Sequence, residues 1–293
     1  MTIEQTKKLT PPASSVLRAI AAVRTGNSYD LDSGRFPGMP IWAGHPPFQV
    51  VSYRTPAGLT NQGDQEWLAP GNNKPNIKFI SELIIAGCHS GTHMDALAHI
   101  TCGDENSWFG GVSADSQVGD FGPLQDDASQ LPILIARGVL VDIPASMGIG
   151  HLPKGYAISL SEFERAIDEQ GVSIGVGDMV CIRTGQMSAW PDPQKWAEVV
   201  GSGITLEVAD MLLAKGVCAI GADNEGVEVM PSIDPDNPHP VHARVLGEAG
   251  IHLIENMYLE DLAGDGHHEF MFIASPPKIT GATGSFVRPI AVV

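Results

Sequence analysis

Four side chains able to hold a divalent cation or move a proton fall within eleven residues: His89, His93, Asp95 and His99, at offsets of 0, 4, 6 and 10. Two neutral imidazoles and one carboxylate form a mixed nitrogen and oxygen donor set, which suits Zn²⁺ or Mn²⁺ and leaves coordination positions open. Such openness belongs to catalysis, because water activated by the cation ionises near neutral pH and can attack a carbonyl carbon. His99, four residues beyond Asp95, is spaced to act as general base toward that water and later as acid toward the leaving group. A continuous helix would not gather the four, since an offset of 6 points away from offsets of 0 and 4. Gly91 and Thr92 imply instead a tight turn between the first two histidines, with a strand end before it and inward-pointing side chains after it.

The elements that must position this segment are partly readable. A mostly apolar run over residues 77–86 reads as the strand that delivers the chain to His89. Before it, residues 34–77 are rich in Gly, Asn and Pro (Pro37, Pro40, Pro46, Pro47, Pro56, Pro70 and Pro75), which predicts long loops around one short strand at 48–53. After residue 130 strand and helix signals alternate, the pattern of an α/β protein. Strands are expected at 137–143, 178–183, 217–222 and 251–254, with 270–273 and 286–293 closing the sheet. Ser161 and Glu164 form the pattern of a capping box opening a helix that Gly171 closes, and Thr205 is expected to cap a helix running to Lys215 and stopped by Gly216. Residues 242–248 read as helical. No repeat, low-complexity tract or linker divides the chain, so 1–293 is expected to be a single domain with a loop-rich part over about 1–77.

Composition narrows the partners. The formal charge of −17, from 34 acidic against 17 basic residues, repels phosphate backbones and anionic bilayers, and no basic cluster reverses it locally. A small-molecule substrate is therefore expected, with neither nucleic acid nor membrane as partner. The polar stretch 1–8 and the break that Arg18 makes in the apolar stretch 16–23 give no secretory signal, and nowhere do 18 apolar residues run together. Cys88, Cys102, Cys181 and Cys218 lack C-x-x-C spacing, which fits a reducing cytoplasm better than a disulfide framework and marks no catalytic thiol.

The run His89-Ser90-Gly91-Thr92-His93-Met94-Asp95-Ala96 resembles the H-x-G-T-H-x-D-A signature of the cyclase superfamily that includes bacterial kynurenine formamidases and isatin hydrolases. The resemblance extends to Tyr29-Asp30-Leu31, Gly38-Met39-Pro40, Ile182-Arg183-Thr184-Gly185, Pro240-Val241-His242 and Glu255-Asn256, so it spans most of the chain. The family usually has Pro where this chain has Leu97 or Ala98. The resemblance implies a swivelling β/β/α fold, a mixed barrel-like sheet with helices outside, assembled as a homodimer or homotetramer. It implies His89, His93 and Asp95 as metal ligands and His99 as the acid/base residue, in a hydrolase acting on amides, cyclic amides or lactones. Some relatives hold a second metal through the shared aspartate and a later His and Glu. Here those are His242 and Glu255, whose separation of 13 residues is one longer than in the formamidases, which leaves ligand and structural roles both open.

Trp67, Trp108 and Phe109, with Phe36 and Phe48, fall where they could wall an aromatic substrate pocket, although anchoring of the loops in the core is an equal reading for each. Asp223 and Glu228 follow an apolar strand, a place that active-site acids favour in α/β folds but ordinary loop acids share. His151, His252, His267 and His268 lack partners at ligand spacing, and His45 and His239 lie in Pro-rich loops where they could touch substrate or only cover the surface. Two rival readings exist. His93 and Asp95 with a distant histidine such as His242 also spell the triad of a non-haem iron oxygenase, although α/β alternation and the preceding His89 weigh against it. A metal-binding protein without activity would have no use for a proton shuttle at His99.

Overall fold

In the computed structural model, which describes residues 11–69 and 71–293, side chains along the central strands alternate between two apolar cores. Residues 1–10, including the polar stretch read for its lack of an apolar leader, and Pro70 lie outside the described residues. The principal elements are α1 (Ala13–Ala22), β1 (Ser28–Asp30), β2 (Gln49–Arg54), β3 (Ser81–Ile85), β4 (His93–Asp95), β5 (Leu134–Asp142), α2 (Leu160–Glu169), β6 (Met179–Arg183), α3 (Leu206–Lys215), β7 (Ala219–Ala222), β8 (His252–Glu255), β9 (Glu269–Ala274), β10 (Gly284–Phe286) and β11 (Ile290–Val292).

Nine strands form one curled mixed sheet in the order β1-β11-β9-β5-β6-β7-β8-β4-β10. Its centre, β5 through β8, is parallel, and every other neighbouring pair is antiparallel. Val139, Val141, Val180, Ile182 and Leu253 face one core, where Phe163 of α2 and Val208 and Leu212 of α3 cover them. Leu140, Met179, Cys181 and Ile254 face the other, together with Met94, Phe270 and Phe272. Parallel strands covered on both faces read as continuous apolar runs, which is why these strands were recognisable from the sequence. Gly138 pairs with Phe270, and an added Cβ would stand 2.2 Å from that ring, so the position needs a glycine for close packing.

Local signals were mostly placed within a residue or two. The capping box, however, is built by Ser159 and Glu162 rather than Ser161 and Glu164: Ser159 Oγ accepts from Glu162 N while the Glu162 carboxylate accepts from Ser159 N. Thr205 stands at the N-cap of α3, but its hydroxyl caps nothing and is left without a partner. Gly216 ends that helix in the left-handed conformation, at φ 74°. The helical reading of 242–248 corresponds to a short turn, Pro240–His242, followed by a π-helix, Ala243–Glu248.

The apolar run 77–86 does form a strand, but not a core strand. Among the described residues β3 pairs only with β2, and the hairpin carries apolar side chains on both faces, the pairs Val50 with Ile84 and Val51 with Leu83 all being exposed. No helix of the described residues is long and apolar enough to cross a membrane.

Candidate active site

Strand periodicity builds the centre of the site. His93 and Asp95 are two residues apart on β4 and share a face, while Met94 between them is fully buried in the core behind. Antiparallel pairing then sets Glu255 of β8 directly opposite His93, which brings the Glu255 Oε2 to 3.2 Å from His93 Nε2. His93 Nδ1 donates to the Gly91 carbonyl at 2.8 Å, which fixes the tautomer and leaves Nε2 for the site.

His89 reaches the same point from the turn before β4. Gly91 is left-handed at φ 61°, and a Cβ there would stand 2.8 Å from the Gly34 carbonyl. The turn is clamped by Arg35, whose guanidinium donates to the carbonyls of Ser90 and Thr92 while paired with Asp32, and by Thr92 Oγ1, which donates to Asn256 O at 2.7 Å. On the other edge, Gly284 of β10 lies opposite Asp95, and a Cβ at that position would come within 2.5 Å of the His89 ring. The missing side chain is what lets His89 bring Nδ1 to 2.9 Å from Asp95 Oδ1.

His242 completes the ring of donors, with Nε2 3.1 Å from Glu255 Oε1 and 3.7 Å from Asp95 Oδ2. Its orientation comes from Glu228. That carboxylate accepts from Val241 N at 2.8 Å and lies 2.5 Å from His242 Nδ1, with His239 Nδ1 at 3.3 Å. Hydrogen bonds from His239 and His242 outweigh burial and hold the Glu228 carboxyl down at about 2. The 13-residue separation of His242 and Glu255 therefore does not keep them apart. Asp223, by contrast, is spent on the backbone of Thr184 and Gly185 and on the Thr184 hydroxyl.

These residues fit a divalent cation. Donors about 2.1 Å from a tetrahedral ion stand about 3.4 Å apart. The separations among His89, His93, Asp95, His242 and Glu255 run from 2.9 to 3.7 Å. Both Asp95 oxygens and His89 Nδ1 are buried without any hydrogen-bond partner among the described residues, although His89 and Asp95 are within contact distance. His89 Nδ1 and Asp95 Oδ1 thus lie close together without hydrogen-bond geometry, an arrangement that two ligands of one cation would share. Asp95 lies between two sets, His89 with His93 and His242 with Glu255. Burial disfavours charge on Asp95, yet the surrounding His99, His89 and His93 hold its carboxyl far below the usual range. Against the cost of burial, Glu255 and then Asp95 raise His93, and Glu228 and Glu255 raise His242 well above the ordinary histidine value.

His99 is stacked on His89 with ring centroids 4.0 Å apart. Its ring makes no hydrogen bond among the described residues and borders a cavity of about 300 Å³. Burial pushes it down to about 4, so it is neutral at pH 7. His252, set aside on its spacing, is buried beneath the site and donates from Nδ1 to the Asp95 carbonyl at 2.7 Å.

The cavity walls differ from the sequence expectation. Trp108 is buried with its indole N–H on Asp126, Phe109 packs beside Leu97 and Leu246, and Trp67 stacks on Phe79 at the exposed surface. None of the three lines the cavity, and neither do Phe36, which meets Trp190 edge-on, and Phe48. The aromatic walls are Trp42 and Trp196, with Ile41 and Met230. His45, stacked on His89 at 5.0 Å, and His239 also border it. Their Pro-rich surroundings hid them, because loops give no periodicity from which direction can be read. Cys88 and Cys102 lie outside the lining, and burial raises both thiols.

Residues 21–229 match the sequence family described as "Putative cyclase". Among solved structures the chain is similar to the crystal structure of a novel cyclase, at 26% identity and a TM-score of 0.82, covering 98% of this chain and 95% of that one. It is also similar in fold to isatin hydrolase A from Labrenzia aggregata bound to benzyl benzoate, at 18% identity and a TM-score of 0.65 over 94% and 95% of the two chains. A predicted metal-dependent hydrolase from Bacillus stearothermophilus is similar at 16% identity and a TM-score of 0.53, over 90% and 97%. No curated protein matches the sequence.

Proposed function

The chain belongs to the cyclase family, and from that premise we propose that it is a metal-dependent hydrolase cleaving an amide, cyclic amide or lactone of a small, largely apolar substrate. The observation that carries this reading is the convergence of His89, His93, His242 and Glu255 on Asp95, whose two carboxylate oxygens have no hydrogen-bond partner among the described residues. His89, His93 and Asp95 would hold one cation, zinc or manganese, and Asp95, His242 and Glu255 a second. When bound, such a cation supplies Lewis acidity, polarising a carbonyl and making water acidic near neutral pH.

The chain's own residues supply the rest. His99, neutral and free of protein hydrogen bonds, accepts a proton from the attacking water at a ring nitrogen as the new C–O bond forms. It returns that proton to the leaving nitrogen or oxygen as the C–N or C–O bond breaks. Trp42, Trp196, Ile41 and Met230 bury the substrate's apolar part and exclude competing water. The partner expected besides substrate is a second copy of this chain, in a dimer or tetramer, and four free cysteines favour a reducing compartment.

The test is a screen of zinc- and manganese-loaded protein against aryl formamides, cyclic imides and lactones, with metal content measured alongside. His93→Ala and Asp95→Ala should lose metal and activity together. Full turnover by metal-stripped protein would end the proposal, and oxygen consumption would redirect it to oxygenase chemistry.

A further inference from the structure

The cavity has a second end. Trp42, Glu225, Met230 and His239 line both the inner cavity and an adjoining, more open hollow of about 540 Å³, so Glu225 stands at the neck between them. The loop after β7 holds it there: Asn224 Oδ1 accepts from Val227 N at 2.7 Å, and Val227 is itself left-handed at φ 60°.

The polarity of Glu225 is set by its neighbour. Gln186 is buried, and its Oε1 accepts from Gly201 N at 3.2 Å. Its amide nitrogen must therefore be the end that faces Glu225, where it donates to Oε2. The carboxylate is thereby pinned as an acceptor, and its Oε1 has no protein donor among the described residues. Among the described residues no lysine or arginine lines the inner cavity, and Lys154, in the outer hollow, donates to the Ala197 carbonyl at 2.9 Å. Glu225 is partly buried, so a ligand that fills the neck displaces water from this oxygen and costs free energy there unless it brings a donor of its own. Aromatic faces at Trp42 and Trp196 favour a flat or cationic group in the same space.

We propose that Glu225 recognises the non-reacting part of the substrate, taking a hydrogen bond from an ammonium, amino or hydroxyl group on a small aromatic compound. This rests on reading the cavity as a hydrolase site, and it goes further by naming which member of that substrate class fits. Neutral and cationic substrates carrying a donor are preferred, and a compound presenting a carboxylate at the neck is rejected by like charge. Burial pushes the Glu225 carboxyl above its ordinary value, so a ligand donor also relieves its desolvation.

Three aryl formamides with methyl, hydroxymethyl and aminomethyl groups at one ring position separate the possibilities. KM is measured on metal-loaded wild type, and affinity by calorimetry on metal-loaded His99→Asn protein, with and without Glu225→Gln. The aminomethyl compound should be favoured over the methyl compound by about tenfold to a hundredfold in both readouts, as for a hydrogen bond to a charged group. Glu225→Gln should erase the preference through KM rather than kcat, with metal content intact. Equal affinity for all three compounds, a preference that survives Glu225→Gln, or no binding of any would overturn the proposal. Donor-dependent binding with no hydrolysis leaves recognition standing and removes the hydrolase reading, whereas hydrolysis without donor preference does the reverse.

Discussion

At the scale of single residues, the proposed function divides a proton carrier, His99, from the cation donors. His99→Asn should keep the metal and lose kcat by about 10²–10⁴-fold, the usual contribution of a positioned acid/base group. Loss of metal in that variant would make His99 a ligand, a role open to it because its ring lies close to both His89 and Asp95. A second expectation follows from the charges. Carboxylates raise His93 above the ordinary imidazole value and His242 well above it, so in the cation-free protein both hold their protons to higher pH than a free imidazole does. Cation binding must displace them, and its affinity should fall as pH drops. Calorimetry in buffers of different ionisation enthalpy should show proton release at pH 7 that shrinks above the raised values, and buffer-independent heats would contradict it. The four motif residues were legible because a turn at Gly91 and a two-residue alternation carry direction locally. Glu228 was legible only as an acid after an apolar strand; its contact with His242, fourteen residues away, was not, because no local spacing encodes that.

At the scale of elements, the centre depends on strand register. Gly284→Ala on the edge strand β10 introduces a Cβ 2.5 Å from the His89 ring. It should weaken cation binding about tenfold or more, as loss of a supporting contact does, while thermal unfolding stays near wild type. Metal stoichiometry and a melting curve check both halves, and unchanged affinity would mean that the edge strand yields. Nothing in the sequence marked Gly284, since its partner Asp95 is 189 residues away and pairing across such a distance leaves no periodic trace. The central strands were legible for the opposite reason, each being a buried apolar run bounded by its own helix. Residues 77–86 gave the same apolar signal without the burial, because hydrophobicity reports a demand for cover and does not say which surface supplies it.

At the scale of the whole molecule, that demand falls on the hairpin β2–β3. A lone two-stranded hairpin is marginal in water, and an apolar patch exposed on both faces marks an interaction surface. We expect it to pair with another copy of the chain, so Val51→Lys with Leu83→Lys should lower the mass measured by light scattering, while wild type runs as a dimer or larger. Identical masses for both would leave the hairpin to a different partner. Another consequence lies in how the cavity is divided between kinds of backbone. The proposed cation donors His93, Asp95 and Glu255 stand on strands whose neighbouring side chains, Met94 and Ile254, are core residues, so change there would be punished twice, in stability and in chemistry. Trp42, Glu225, Met230 and His239 stand on loops between the regular elements. Mutational drift can therefore rewrite what the protein accepts while leaving untouched the apparatus that would cleave it, and inherited diversity in such a lineage would collect at the neck.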